Sequence, residues 1–246
     1  MKDGEKSFFK IFEIIELIAS SRNGLKGKEI SLKTKIPLST VFRMLKFLVE
    51  RGYLVNQEQM YCLGTAMSRL GSIASKQNPL IKIAHPILME LSEQTLETVH
   101  LGKLQNTQIV YVDKVEGERS VRMGSMIGKT SPLHCTGVGK TILAFLSGEK
   151  QDDIISSVDF TSFTPQTIQN RESLKKELAK IKKQGYAVDN CEHELGVYCV
   201  AAPVLDADGV PVCAISISGS ELYLREHTAE YAMLLRKASM RISEKL

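Results

Sequence analysis

A glycine-rich turn with a lysine and a threonine lies near the middle of the chain and is the first candidate for chemistry. The run Gly137-Val138-Gly139-Lys140-Thr141 resembles the end of the phosphate-binding loop of nucleotide hydrolases. That loop has the pattern GxxxxGK[ST], which requires a glycine at position 134, where this chain has His134. The flanking residues also lack the pattern of a parallel sheet. We therefore do not expect nucleotide hydrolysis.

The same glycines stand immediately before an apolar helix over 142–146. The backbone N–H groups of Gly137 and Val138 would be free at the start of this helix, where the helix dipole is positive. Such a helix start can bind a carboxylate. An alternative is that the glycines only allow the helix to pack tightly against a sheet, and the sequence does not decide between the two.

A second candidate lies between Lys28 and Leu63, where the pattern predicts a short helix, a tight turn, a second helix and a hairpin. In the second helix, for which Ser39 is the expected N-cap, Val41, Leu45 and Leu48 fall on one face. The opposite face would present polar, basic and aromatic side chains, namely those of Thr40, Phe42, Arg43 and Lys46. A helix of this kind can enter the major groove of DNA.

The distribution of charge agrees with a DNA-binding segment at the N-terminus. Residues 1–64 hold 11 Lys and Arg against 7 Asp and Glu, whereas the other 182 residues hold 21 of each. The formal net charge of +4 therefore lies entirely in the first quarter of the chain. A local basic excess favours binding to phosphates, although an excess of this size also occurs by chance.

Length and composition are those of a globular protein with one large domain or two ordinary ones. The chain has 246 residues, of which 43% are hydrophobic and 24% charged. The apolar run over 8–19 is interrupted by Lys10, Glu13 and Glu16 and has helical spacing, so it predicts an amphipathic helix and not an export signal. Since no segment is long and apolar enough to cross a bilayer, we expect a cytoplasmic protein without a membrane partner.

Five cysteines occur without a C-x-x-C pair, which argues against a disulfide scaffold or a zinc ribbon. We expect no metal and no cofactor. A cysteine-dependent enzyme would need Cys199 as nucleophile and His193 as base, and nothing in the sequence brings these two together. We therefore expect no catalytic residues and interpret Cys199 as part of a pocket wall.

The hydrophobic pattern predicts an α+β protein with three parts. These are a winged helix-turn-helix domain over 1–64, a linker helix over 65–78 and a domain over 79–246 with an antiparallel sheet flanked by helices. Asn106-Thr107 and Asp208-Gly209 are typical of hairpin turns. The predicted helices cover 6–21, 28–35, 39–50, 65–76, 81–94, 137–146, 173–184 and 224–245. The predicted strands cover 53–55, 60–63, 98–104, 109–115, 121–126, 186–190, 200–205 and 210–218.

Several ordered blocks of sequence resemble the isocitrate lyase regulator (IclR) family of bacterial transcription factors. The resemblance covers nearly the whole length. The blocks that carry it are 39–45 (STVFRML), 97–101 (ETVHL), 111–115 (YVDKV), 132–140 (PLHCTGVGK), 185–189 (GYAVD) with Glu192 and Glu194, 195–204 (LGVYCVAAPV) and 215–219 (ISISG). Within the family, the segments around 99–101 and Met123 are similar to regulators of sugar-acid catabolism.

The resemblance implies an N-terminal winged helix-turn-helix that binds DNA as a dimer and a C-terminal GAF-like domain that binds a small organic acid. The residues implied for the acid are Met123, Gly137, Val138, Asp189, Val197, Cys199, Ser216 and Ser218. Ser216 and Ser218 are two apart in a strand, so both hydroxyls would face one side and, with two helix-end N–H groups, could hold a carboxylate. Asp189 could accept hydrogen bonds from ligand hydroxyls; the alternative is a solvated turn residue.

The expected function is a homodimeric or tetrameric regulator, most simply a repressor, that reads a near-palindromic site in double-stranded DNA and responds to a small carboxylate. Besides Lys28, the residues expected at the DNA are Ser39 and Thr40 for phosphates or base edges, Arg43 for guanine and Lys46 for phosphate. The family more often has a polar ring at Phe42, so this residue would contact a thymine methyl group or no base. A DNA-binding protein without ligand control is the alternative.

Overall fold

A computed structural model describes residues 3–21, 23–119 and 124–246 of the chain. The chain divides into two compact units, residues 1–77 and 78–246. The predicted α+β fold class is confirmed, with the helix-turn-helix in the first unit and an antiparallel sheet flanked by helices in the second. The separate linker part stays a prediction; its helix belongs to the first unit.

The first unit packs helices around the apolar face of the predicted DNA-reading helix. Its helices are α1 (Asp3–Ala19), α2 (Gly27–Thr34), α3 (Leu38–Glu50) and α4 (Thr65–Gln77). Its strands are β1 (Leu25–Lys26), β2 (Leu54–Gln57) and β3 (Met60–Leu63), which pair antiparallel in the order β1-β3-β2. Ile14 and Ile18 of α1 share the core with Ile30 of α2 and with Val41, Leu45 and Leu48 of α3.

The turn between α2 and α3 corrects one prediction. Lys35 adopts a left-handed conformation with φ of 57°, Ile36 is buried, and Pro37 is the N-cap of α3. Ser39, predicted as the N-cap, therefore lies inside the first turn. Pro37, with φ of −53° and ψ of 134°, turns the chain into the helix but offers no side-chain oxygen to the first N–H groups.

The second unit is a six-stranded antiparallel sheet with helices on both faces. Its strands are β4 (Thr98–Gln105), β5 (Gln108–Val115), β6 (Thr130–Pro132), β7 (Ala187–Asn190), β8 (Val197–Leu205) and β9 (Pro211–Ser220), in the order β6-β5-β4-β9-β8-β7. Its helices are α5 (Pro79–Thr95), α6 (Gly137–Phe145), α7 (Gly148–Ser156), α8 (Arg171–Gln184), α9 (Glu221–Leu224) and α10 (Thr228–Ser243).

The sheet has a separate hydrophobic core on each face because its side chains alternate. Ile215 and Ile217 of β9 point towards α5 and α10, whereas Ala214 and Ala201 point towards α6 and α8. The predicted segregation of Ile215 and Ile217 from Ser216 and Ser218 is therefore confirmed. Helix α6 lies between the sheet and α8, and eight of its nine residues are buried.

Other differences from the predictions lie at the ends of elements and in connections. The predicted strand over 121–126 falls partly outside the described residues; residues 124–126 are not a strand, and β5 pairs instead with β6. The predicted final helix over 224–245 corresponds to α10, which the short α9 precedes, and α7 was not predicted. Both predicted hairpin turns are present, with φ of 55° at Asn106 and 76° at Gly209.

Candidate functional site

The exposed face of α3 is the candidate DNA-reading surface. Ser39, Phe42, Arg43 and Lys46 are exposed at helical spacings of three and four, whereas Val41, Leu45 and Leu48 are buried. Thr40 is half-buried beside this face. The predicted division of the helix into an inner apolar face and an outer polar face is thus what the structure shows.

Two of the predicted DNA residues have further contacts in the structure. Phe42 is 44% exposed, yet its ring lies so close to Gly27 that a Cβ atom there would be 2.7 Å from it. The ring therefore holds α2 against α3, a role that the sequence did not reveal. The Nζ atom of Lys46 lies 3.9 Å from Oε1 of Glu50. Because both side chains are exposed, this pair leaves the ammonium accessible. Lys28 is exposed on α2.

A cavity between α6 and the sheet brings together the residues that were expected to bind an acid. Of the eight, Met123 lies outside the described residues. The other seven all line the same cavity: Gly137, Val138, Asp189, Val197, Cys199, Ser216 and Ser218. They come from α6, β7, β8 and β9, which are distant in sequence.

Three of these side chains form a row across neighbouring strands. Asp189 of β7 is paired with Cys199 of β8, and Cys199 is paired with Ser218 of β9. We call Asp189, Cys199 and Ser218 the cross-strand row. Paired residues in adjacent strands place their side chains side by side on one face, so the three polar groups face the cavity together.

The start of α6 closes the cavity opposite the row. Thr136 is the N-cap, and its hydroxyl accepts a hydrogen bond from the N–H of Gly139 at 3.2 Å. The N–H groups of Gly137 and Val138 have no acceptor among the residues that the structure describes. They remain donors at the positive end of a buried helix, which is the arrangement that suits an anion.

The two glycines of this turn differ in what they allow. A Cβ atom at Gly139 would lie 2.4 Å from the carbonyl oxygen of Leu133, so this position requires glycine for close packing. A Cβ atom at Gly137 would approach Ala201 to 3.3 Å on the cavity side. Gly139 is therefore needed for tight packing of the helix. Gly137 packs against the sheet and also borders the cavity.

Asp189 is buried, with 3% of its surface exposed, and is not a solvated turn residue. Its Oδ1 atom accepts a hydrogen bond from the backbone N–H of Glu192 at 2.8 Å. Burial raises the pKa of this carboxyl to about 7, although the nearby Lys140 acts in the opposite direction. Near neutral pH, Asp189 can thus both accept and donate a hydrogen bond.

Lys140 is not available to a ligand phosphate. Its ammonium, 1% exposed, forms an ion pair with Glu192 and donates to the carbonyl oxygen of Val188 at 2.6 Å. In a phosphate-binding loop the lysine must reach the phosphates of the nucleotide. The ion pair therefore supports the exclusion of nucleotide hydrolysis that was drawn from His134.

Cys199 does not have the environment of a nucleophile. Burial raises the pKa of its thiol well above the usual value, and the neighbouring Asp189 raises it further. A catalytic cysteine requires the opposite shift, because the thiolate is the reactive form. His193 borders the same cavity, but burial lowers the pKa of its imidazole.

Sequence reasoning missed nine residues that line the cavity: His100, Tyr111, Gly124, Ser125, Lys129, Ser131, Thr136, His193 and Glu194. One signal could have revealed His100. Thr98 and His100 alternate with the apolar Val99 and Leu101, which is the pattern of a strand with one polar face. In the sheet, His100 is paired with Ser216.

Two kinds of feature are absent from the parts of the chain that the structure covers. No helix there is long and apolar enough to cross a membrane. Over 3–21, 23–119 and 124–246, no group of three or more His, Cys, Asp or Glu residues is arranged to hold a metal ion.

Comparison with known proteins identifies two families of domain in the chain. Residues 7–58 match the IclR helix-turn-helix domain, and residues 73–244 match the C-terminal domain of the bacterial transcriptional regulator IclR. The chain is 34% identical over 247 residues to the HTH-type transcriptional regulator KdgR of Dickeya chrysanthemi, covering 99% of this chain and 81% of that protein. It is 30% identical to the transcriptional repressor IclR of Escherichia coli, covering 97% of this chain and 89% of that protein.

A solved structure agrees over the same length. The crystal structure of the IclR protein of Thermotoga maritima matches with a TM-score of 0.83 and 36% sequence identity, covering 98% of this chain and 99% of that one. The chain therefore belongs to the IclR family and is a helix-turn-helix transcriptional regulator, in a family of DNA-binding regulators and not of enzymes.

Proposed function

We propose that this IclR-family regulator is a repressor of a catabolic operon and that a small organic acid, such as a sugar acid or a keto acid, controls it from the cavity beneath α6. The observation that carries the proposal is the convergence of seven expected acid-binding residues on one cavity. Repression is supported by the name of the E. coli relative, a transcriptional repressor. As a regulator of chromosomal genes it would act in the cytoplasm.

The chemistry of the cavity favours a carboxylate. Free N–H groups at Gly137 and Val138 and the hydroxyls of Ser216 and Ser218 can all donate hydrogen bonds. The ammonium of Lys140 is held by Glu192 and is not available to the ligand, whereas Lys129 lines the cavity and donates to the carbonyl oxygen of Gly124. A carboxylate bound by helix-end N–H groups and hydroxyls needs no cationic side chain. Asp189 would contact a hydroxyl or keto group of the acid.

DNA binding would use the exposed face of α3, with Arg43 directed to a guanine and Lys46 to a phosphate. A near-palindromic site is expected if two copies of the chain pair. Exposed apolar side chains on α1 support pairing: Phe8, Phe9 and Phe12 are 67%, 63% and 62% exposed and lie on one side of the helix. We propose a homodimer, with a tetramer as the alternative.

An acid in the cavity can change DNA affinity only by binding one state of the dimer more tightly than another. A ligand that binds both states equally would leave repression unchanged, whatever its affinity. The alternative function, DNA binding without ligand control, predicts that no acid alters either the stability of the protein or its affinity for DNA.

Two measurements on the full-length protein test this function. A thermal-shift screen with sugar acids and short keto acids should find compounds that raise the melting temperature, because a ligand at one hundred times its Kd adds about 2.7 kcal/mol of stability. DNA sites selected from a random library should bind with strong salt dependence. If DNA binds and no acid raises the melting temperature, the effector role is wrong; if DNA binding is weak and insensitive to salt, regulation through α3 is wrong.

A further inference from the structure

His100 lies between two serine hydroxyls at the edge of the cavity. Its Nδ1 atom is 3.3 Å from Oγ of Ser218 on β9, and its Nε2 atom is 2.7 Å from Oγ of Ser125 in the segment that follows β5. The imidazole is 3% exposed, and its ring centroid lies 5.0 Å from that of Tyr111. One side of the imidazole thus touches the cross-strand row, and the other touches a loop at the cavity border.

The loop end of this chain of hydrogen bonds is fixed by a second contact. The ammonium of Lys114 donates to the carbonyl oxygen of Ser125 at 2.9 Å and pairs with Glu116. Ser125 is therefore held through both its hydroxyl and its backbone. Burial lowers the pKa of His100 to about 3, and the same ammonium acts in the same direction.

A neutral imidazole carries one N–H group, so it can donate to only one of its two serine partners. If Nδ1 holds the proton, it donates to Ser218, and Nε2 accepts from the hydroxyl of Ser125. If Nε2 holds the proton, the directions reverse and Ser218 donates to His100. Only in the first case is the hydroxyl proton of Ser218 free for a group inside the cavity.

We propose that His100 is a positioning residue that makes Ser218 a hydrogen-bond donor towards the effector and thereby makes the cavity select a carboxylate over a neutral amide. This inference rests on the proposed function, in which the cavity binds an organic acid. A carboxylate only accepts hydrogen bonds, so it requires the Nδ1–H form of His100. An amide that presents its NH₂ group to Ser218 offers no acceptor for the hydroxyl proton, so it favours the other form, in which Ser218 donates to His100.

The proposal also connects the cavity with the loop. When a carboxylate fixes the direction of the bond at Ser218, the bond between His100 and Ser125 takes the matching direction. In this arrangement Ser218 accepts from His100 and donates to the carboxylate, and Ser125 donates to His100, so each hydroxyl proton has an acceptor, which is the lower-energy arrangement for buried polar groups. Binding in the cavity thereby determines whether the Ser125 hydroxyl donates to His100 or accepts from it.

The first test observes the proton directly in full-length protein labelled with ¹⁵N-histidine. Two-bond ¹H–¹⁵N spectra distinguish the two neutral forms, and the His100→Asn variant assigns the signal. The probes are pyruvate and D-gluconate, each used only if it raises the melting temperature. With either acid bound, His100 should be entirely in the Nδ1–H form. An acid-bound protein with the proton on Nε2 would overturn the proposal while leaving the proposed function intact.

The second test measures selectivity, which a merely structural role would not change. In the wild-type protein, pyruvate should bind more tightly than pyruvamide, and gluconate more tightly than gluconamide. His100→Asn should reduce this acid-over-amide ratio about tenfold, as expected for the loss of one fixed hydrogen bond. His85→Asn, a change at a histidine outside the cavity, is the matched control and should keep the ratio.

The outcomes separate the two hypotheses. An unchanged ratio in a folded His100→Asn protein would overturn the role of His100 alone. If no acid of the thermal-shift screen raises the melting temperature, the effector part of the proposed function is rejected and the role of His100 with it; if only other acids do, each of them replaces the probe, with its own amide for comparison. Should His100→Asn fail to fold, the tautomer measured in the wild-type protein still decides the proposal.

Discussion

Lys140 and Glu192 form an ion pair inside the C-terminal unit, with side chains that are 1% and 7% exposed. The pair joins α6 to the turn after β7 and so connects two walls of the cavity. Because the same turn donates the N–H group of Glu192 to Asp189, the pair also determines where the acidic end of the cross-strand row lies.

Removal of the ammonium should destabilise the protein strongly. We expect Lys140→Met to lower the free energy of unfolding by about 3 to 5 kcal/mol, because the carboxylate of Glu192 would remain buried without its partner. Urea denaturation measures the loss. The matched control is Lys176→Met, which breaks an exposed pair with Glu172 and should cost about 0 to 1 kcal/mol. Adding Glu192→Gln to Lys140→Met should recover much of the stability. An unchanged free energy of unfolding in Lys140→Met alone would contradict the prediction.

Arg43 should contribute base preference as well as affinity. Arg43→Ala should weaken binding to the selected DNA site by about 1 to 3 kcal/mol and relax the preference at one base pair. Lys46→Ala should weaken binding to all sequences similarly and reduce the salt slope by about one unit. Fluorescence anisotropy at fixed salt measures both, and Lys150→Ala on the exposed surface of α7 is the control. Equal affinity of Arg43→Ala and wild type would exclude Arg43 as the base-reading residue.

Side chains of the cross-strand row should be needed for the response but not for DNA binding. Ser218→Ala and Asp189→Ala should bind the DNA site as the wild type does. An acid that raises the melting temperature of the wild type should no longer release these variants from the DNA. The physical reason is that each change removes a polar group from the cavity without altering α3. A normal response in both variants would show that the acid binds elsewhere.

The buried carboxyl of Asp189 should make stability depend on pH. Its pKa of about 7 in the folded protein lies above the usual value for aspartate, so the folded state keeps a proton that the unfolded state releases. The resulting contribution is complete below about pH 4 and is lost as pH rises through 7. The titratable groups around this carboxyl are Lys140, Glu192, Cys199, Tyr111, Cys135 and Cys191.

Asp189→Asn isolates this effect because the amide does not ionise. Relative to wild type, the variant should gain stability as pH rises from 4 to 8, by about 1 to 4 kcal/mol, and the difference should then level off. Urea denaturation across this range measures the difference. Asp208→Asn, at an exposed turn, should show no such trend. A constant difference between Asp189→Asn and wild type would mean that the carboxyl is ionised throughout.

The sequence predicted the parts of the fold that repeat a pattern. Helix α3 and strand β9 were identified because Val41, Leu45 and Leu48, and Ile215 and Ile217, follow the periods of a helix and a strand. The start of α3 was misplaced because Pro37 fixes the backbone where a hydroxyl cap at Ser39 was expected. Helix α7 was missed because it buries one residue, Ile155, and therefore has almost no apolar pattern.

Apart from the helix start at Gly137 and Val138, the cavity was predicted only where a family resemblance supplied the residues. His100 and Ser125 come from different elements, and no local pattern shows that their side chains meet. The contact of Phe42 with Gly27 is similar, since the helical spacing of Phe42 placed it on the outer face. Interactions between residues far apart in sequence depend on how elements pack, which a single sequence does not contain.

The cross-strand row has a consequence for how the regulator could acquire new inducers. Its three side chains come from three separate strands, which are spaced about 4.8 Å apart by backbone hydrogen bonds that do not involve the side chains. Substitution of one of these side chains would change the shape of the cavity locally and leave the backbone hydrogen bonds of the sheet intact. Under the proposed function, single codon changes in this row would therefore alter which acid the cavity accepts without changing the sheet.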